Sequence, residues 1–214
     1  VAPPPGFAER YRRAGQFCKI RVGGLEGIFA MYSAPAFAEP STRERVRFLV
    51  RTANVEGGEA ADALAALPDG SPIEMTMPAG EGFALERARG RDVFFVATGT
   101  GIAPVRAAIE VMLAERSAYG ALTLDHGIRS DAHLAVAEEI ARWRAHGVEV
   151  HVHRSAPTAS GEVRGVTVQD AIRTRAPELR NAAVVAVGQP EMLESLLAEV
   201  VGLGGNPELF LKNL

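Results

Sequence analysis

Val93-Phe94-Phe95-Val96-Ala97-Thr98-Gly99-Thr100-Gly101-Ile102-Ala103-Pro104 decides the architecture of this chain. Its first five residues are apolar, branched or aromatic for the most part, and too few for a helix, which is the composition of a strand buried on both faces. A Gly-Thr-Gly turn follows. Pro104 then stands at the start of a helix, where a missing N–H costs nothing. Ala108, Ile109, Met112 and Leu113 recur at helical spacing and carry that helix onward. Strand, glycine turn and helix together aim free N–H groups and a positive dipole end at a phosphate. The turn alone carries only the first two glycines of a dinucleotide fingerprint, because Pro104 occupies the place of the third.

Downstream, strand and helix alternate strictly. Strands are expected at 93–98, 121–126, 148–153, 183–187 and 208–211, with helices at 103–116, 131–145, 167–175 and 190–201. Right-handed crossovers turn this pattern into a five-stranded, doubly wound parallel sheet. In strand order 3-2-1-4-5 the ligand crevice opens between the first and fourth strands, beyond their carboxyl ends. The first ends in Thr98-Gly99-Thr100-Gly101 and the fourth in Gly188-Gln189-Pro190, so two glycine turns flank one crevice. That coincidence argues for nucleotide binding.

Upstream the chain is β-rich. Strands are expected at 16–22 and 28–33, separated by the Gly23-Gly24 turn, and at 45–51, where Val46, Phe48 and Val50 alternate with arginines. Gly57-Gly58 opens a short helix at 59–67, and a further strand at 72–77 is closed by Pro78-Ala79-Gly80. Short strands with Gly/Pro turns predict a partly open antiparallel barrel of Greek-key type. The boundary falls near 87–91, giving a barrel domain over 1–88 and a nucleotide domain over 89–214.

Composition excludes several classes. A net charge of −3 leaves no electrostatic footprint for nucleic acid, and no apolar run approaches the length of a membrane span. Cys18 is the single cysteine, so the chain has no internal disulfide and no thiolate cluster for a metal or iron–sulfur centre, which fits a reducing, cytoplasmic setting. The start at Val1, without a methionine, suggests that further sequence precedes it. His126, His151 and His153 lie at strand ends without a cysteine or acidic cluster beside them and read as polar strand-end residues, not metal ligands. No Gly-x-Ser-x-Gly elbow supports a hydrolase.

In order and spacing these segments resemble the ferredoxin–NADP reductase superfamily, which joins a flavin-binding barrel to a nicotinamide-nucleotide domain. Gly15-Gln16-Phe17 resembles its strand opener, Tyr32-Ser33 the end of its Arg-x-Tyr-Ser flavin motif, and 58–64 its Gly-x-x-Ser-x-x-Leu phosphate helix. Pro78-Ala79-Gly80 resembles the turn that closes the barrel, and Gly99-Thr100-Gly101-Ile102-Ala103-Pro104 matches the nucleotide turn in full. Gly127-Ile128-Arg129 and Gly188-Gln189-Pro190 resemble the later nucleotide loops. The resemblance implies hydride transfer between NAD(P)H and bound FAD, then electron transfer to an unidentified acceptor, a protein among the candidates. It places Tyr32 on the flavin ring, Ser33 at the ring nitrogen that takes hydride, and Thr100 with the Gly188 turn on the nicotinamide. Gly58, Glu59, Ala60 and Ala61 would hold the flavin phosphate, and Ser155 the far end of the nucleotide.

The departures bear on the same site. Ala30 replaces the motif's arginine, Ala61 the helix's serine, and Val187 a cysteine common before the Gly-x-Pro turn. The two alanines favour an alternative, a nucleotide-binding electron-transfer subunit or regulatory module with weakened or lost flavin binding. Arg45, Arg47 or Arg51 could compensate, or could form a solvated face. Ala156, without a cation beside Ser155, slightly favours NADH, with Arg154 and Arg164 nearby in sequence. Asp125 is read as structural. Phe210 is read as sheet core, and Leu214 could cover a flavin ring without stacking on it.

Overall fold

The computed structural model describes residues 1–52, 58–155, 165 and 167–213. After a single helical turn, α1 (Phe7–Arg10), strands β1 (Phe17–Val22) and β2 (Leu25–Ala30) form an antiparallel hairpin. Gly23 and Gly24 both have positive φ, at 57° and 83°, so a two-residue turn pairs Val22 directly with Leu25. This starts the second strand three residues earlier than expected and ends it before Tyr32.

The expected strand at 45–51 reduces to extended chain touching residues 31–33. Met31 and Phe48 form an isolated bridge, and the Tyr32 and Ser33 N–H groups both donate to the Arg47 carbonyl. Helix α2 (Glu59–Ala65) covers the hairpin, and β3 (Glu74–Met75), also shorter than expected, pairs with β1. The first half is thus a three-stranded antiparallel sheet in order β2-β1-β3, extended by bridges into part of a barrel. Gln16 fastens the barrel mouth. Its side-chain carbonyl accepts from the Arg12 and Arg13 N–H groups, and its amide donates to Gly80.

The second half alternates as the apolar pattern demands. It runs β4 (Asp92–Thr98), α3 (Ile102–Ala114), β5 (Leu122–Ile128), α4 (Ala137–Ala145), β6 (Val148–Arg154), α5 (Val168–Arg175), β7 (Ala182–Val187), α6 (Pro190–Gly202) and β8 (Phe210–Lys212). All strand pairs are parallel, in spatial order β6-β5-β4-β7-β8, which is the 3-2-1-4-5 order expected. Helix α4 begins later than expected, after a short 3-10 turn at Asp131–His133.

Successive residues of β4 face opposite sides. Val93, Phe95 and Ala97 join a core with α3, α4 and the barrel residues Tyr32, Phe83 and Leu85, while Val96 joins α5 and α6. One apolar core therefore runs from the barrel into the nucleotide half. Phe210 packs into the α5–α6 core, as expected of a sheet residue.

A buried charge cluster crosses the same junction. Arg106, one turn before Glu110 on α3, has a side chain only 6% exposed. Its Nη1 donates to Glu39 Oε2 at 2.5 Å and to the Tyr32 carbonyl at 3.2 Å, and its Nε faces Glu139 Oε1 at 3.5 Å. Glu39 also accepts from Arg47 and from the Ala34 N–H. Burial alone would raise the Glu39 pKa, but hydrogen bonds from Arg106 and Ala34 reverse that and hold the carboxyl below its ordinary range. Removing one member strands a charge of the opposite sign. Arg106→Met should destabilise the protein by about 3 kcal/mol in urea unfolding, and adding Glu39→Gln should recover part of that loss.

Candidate functional site: a cleft between the two halves

A cleft of about 830 Å³ opens where the halves meet, within the size range of small-molecule sites. The barrel side contributes Ile28, Phe29, Ala30, Leu49, Arg51, Gly58 and Ala61. The sheet side contributes Thr98 to Gly101, Ala103, Pro104, Gly127 to Arg129, Val187 to Gln189 and Met192. Ile28 is 65% exposed, an apolar side chain with open space over it. Asn213 reaches the cleft from the chain end and donates to the Gly15 carbonyl at 3.3 Å.

Tight backbone packing builds the crevice. A Cβ added to Gly101 would lie 2.9 Å from the Val187 carbonyl oxygen and 3.1 Å from the Val187 Cγ1. Only glycine lets the turn after β4 close on the end of β7, so the two glycine turns share one wall. Beneath them, His126 is fully buried, and its Nε2 lies 3.3 Å from the Gly99 carbonyl. A carbonyl can only accept, so Nε2 carries the proton. Among the described residues, the ring's Nδ1 is buried without a hydrogen-bond partner. Desolvation pushes this imidazole's pKa down to about 4, which keeps it neutral and holds the turn through one donated hydrogen bond.

The far end of the cleft, over β5 and β6, is polar, with Arg129, His153, Ser155, Thr167 and Gln169. Asp125 lies fully buried behind it. Its Oδ1 accepts from His153 Nε2 at 2.9 Å and from Arg175 Nη1 at 2.9 Å, and its Oδ2 from Arg175 Nη2 at 2.6 Å. Burial raises the Asp125 pKa, but these hydrogen bonds outweigh it and leave the carboxyl below its ordinary range.

Of the residues expected from sequence, Ala61, Gly58, Gly99, Thr100, Gly101, Ala103, Pro104, Gly127, Arg129, Ser155, Gly188 and Gln189 line this one cleft. Ile102 is buried behind the turn as its first helical residue, and Pro190 opens α6. Glu59 and Ala60 lie beside Gly58, with Ala60 turned into the barrel. Tyr32 and Ser33 stand outside the lining. Tyr32 is 8% exposed, its hydroxyl donates to Glu139, and the guanidinium groups of Arg106 and Arg47 lie over its ring at 4.7 and 5.1 Å. Ser33 is 1% exposed, and its Oγ accepts from the Arg47 N–H at 3.0 Å.

Among the arginines considered as compensation, Arg51 lines the cleft, whereas Arg47 is bound to Glu39. Arg154 pairs with Asp131 at 2.6 Å. Gly57, Ala156, Arg164 and Leu214 lie outside the described residues. Sequence reasoning missed Arg106, Leu49, Met192, Asn213 and the Arg175–Asp125–His153 chain. Only Arg106 left a signal, as a lone cation inside an apolar helical run. No described helix is long and apolar enough to cross a membrane.

His126 makes acid stability testable. Its folded pKa lies below the ordinary value of about 6.5, so the unfolded chain binds the extra proton and stability falls as pH drops from about 6.5 to about 4. His126→Gln keeps an N–H for Gly99 but cannot titrate. Between pH 7 and pH 4 the wild type should lose about 3 kcal/mol more than this variant in urea unfolding.

Comparison with known proteins accords with this geometry. Residues 95–197 match the oxidoreductase NAD-binding domain family. The chain is 27% identical over 195 residues to reductase component 1 of terephthalate 1,2-dioxygenase from Comamonas, covering 89% of this chain and 55% of that protein, so it spans about half of that relative. It superposes on the cytochrome P450 reductase GcoB of Amycolatopsis with a TM-score of 0.76 at 23% identity, over 94% of this chain and 60% of the other. A ferredoxin–NADP+ reductase from Neisseria gonorrhoeae, solved with bound FAD and NADP, matches with a TM-score of 0.70 at 16% identity, over 95% and 83% of the two chains. Residues 95–197 thus resemble an oxidoreductase NAD-binding domain, and the chain as a whole shares the fold of these solved reductases.

Proposed function

We propose that this chain is the flavin- and nicotinamide-binding part of a reductase, moving hydride between NAD(P)H and FAD and passing electrons to a protein acceptor. The observation that carries this reading is a cleft lined by the barrel on one side and by both glycine turns on the other. The residues present suit both groups. Ile28, Phe29 and Leu49 offer an apolar wall to a ring, and Arg51 offers a cation to a phosphate. The Gly99–Gly101 turn opens the thirteen-residue helix α3 toward the same space.

FAD, when bound, supplies the hydride-accepting and electron-donating chemistry. The protein's part is placement. The turn at 99–104 takes the nucleotide pyrophosphate on backbone N–H groups. Thr100 and the Gly188–Pro190 turn hold the nicotinamide ring, and Val187 and Met192 keep water from its inner face. Tyr32 and Ser33 act from behind this layer, because Arg106 and Arg47 occupy the Tyr32 ring. The terephthalate dioxygenase relative is named a reductase component, which supports a protein acceptor for this chain too.

A second reading, a nucleotide-binding module with weak or absent flavin binding, is favoured by Ala30 and Ala61, which both line the cleft where a cation and a hydroxyl would meet a phosphate. Titrating the purified protein with FAD and reducing it with NADH and NADPH in parallel separates the two. A flavin absorption band that bleaches with nicotinamide nucleotide is expected. Nucleotide binding without flavin uptake would establish the second reading instead, and uptake of neither would overturn both. The double change Ala30→Arg and Ala61→Ser restores one charged and one neutral phosphate contact. It should tighten flavin binding by about two to three powers of ten in equilibrium titration.

A further inference from the structure

The polar end of the cleft holds a side-chain chain that the hydride-transfer reading does not use. Asp125 sits in mid-strand with no exposed surface, and both of its oxygens are engaged. Arg175, at the last position of α5, grips it from below with two hydrogen bonds, and His153 caps it on the cleft side. An ionised carboxylate can only accept, so His153 Nε2 must carry a proton. With Nε2 turned to the carboxylate, Nδ1 is the ring atom left for a ligand, and it makes no hydrogen bond among the described residues.

The neighbouring hydroxyls are already committed. Ser155 Oγ leans back to the Ile128 carbonyl at 3.4 Å, and Thr167 Oγ1 donates to Asp170 Oδ2 at 2.7 Å while capping α5. Burying a carboxylate, pairing it twice and spending an arginine on it leaves one outward consequence, an imidazole of fixed rotation in the wall of the cleft. A ring nitrogen held at this point suits a ligand hydroxyl, which can either donate or accept. With the pyrophosphate on the turn after β4 and the reacting ring toward the barrel, the part of a dinucleotide that reaches β5 and β6 is the distal nucleoside.

We propose that the Arg175–Asp125–His153 chain presents His153 Nδ1 to a ribose hydroxyl of the distal nucleoside, making His153 a specificity-determining contact and Asp125 and Arg175 its positioning residues. The inference rests on the nucleotide reading of the cleft and deepens it by naming the sugar contact.

The test measures binding alone, by calorimetric titration with ADP, 2′-deoxy-ADP and 3′-deoxy-ADP. His153→Ala should weaken ADP by about 3–10-fold, the loss of one hydrogen bond. For the deoxy analogue that lacks the contacted hydroxyl, wild type and variant should bind alike. Asp125→Leu combined with Arg175→Met removes the acceptor without stranding the guanidinium, and should reproduce the ADP loss and the same indifference to that analogue. A purely structural role would weaken all three ligands equally. That result, or no change with ADP in a His153→Ala protein whose thermal unfolding matches wild type, overturns the proposal. A wild-type protein that binds no ADP would instead retire the nucleotide reading on which the proposal stands.

Discussion

The guanidinium of Arg106 is the constraint from which the geometry of the cleft follows. A buried cation is tolerable only when oxygens surround it, and here these come from the loop at Glu39, from the Tyr32 backbone and from Glu139 on α4. Arg106 stands one helical turn inside α3, whose first residues follow directly on the Gly99–Gly101 turn. Fixing Arg106 against the barrel loop therefore fixes the distance between the turn and the barrel wall. The apolar core shared by Phe83, Leu85, Phe95 and Ile102 supplies most of the cohesion, and the charge cluster supplies the register.

That register leaves the cleft with two chemical ends. Near the barrel, apolar side chains and Arg51 face the glycine turns, while over β5 and β6 the wall is polar and backed by an engaged carboxylate. The division suits a ligand with a flat ring at one end and a sugar at the other. Ala30 and Ala61 also stand on the barrel wall, where their small apolar side chains offer a ligand no polar group. On the proposed reading, flavin affinity and nucleotide affinity are separable quantities, because different halves would supply them.

Much of the fold was legible in the residues. The β4 run, the Gly-Thr-Gly turn and the alternation after it follow from short-range rules of burial and helix propensity, and the parallel sheet order follows from handed crossovers. The barrel half was less legible. A strand at 45–51 looked regular by its alternation, yet it became extended chain with one bridge, because strand identity depends on a partner's full length and not on the pattern alone. The hairpin slipped by three residues because turn geometry, not hydrophobicity, sets its register.

By itself the sequence determined which residues could form turns, strands and helices, and it brought the glycine turns after β4 and β7 to one crevice, because those properties are set by neighbours a few positions apart. Tertiary structure alone decided that Tyr32 and Ser33 lie beneath Arg106 and Arg47 instead of in the cleft wall, and that Asp125 joins Arg175 to His153 across 50 and 28 positions of chain. Charge pairing and desolvation act through space. Whether a polar side chain meets a ligand, a partner or nothing is settled only when distant segments are packed around it.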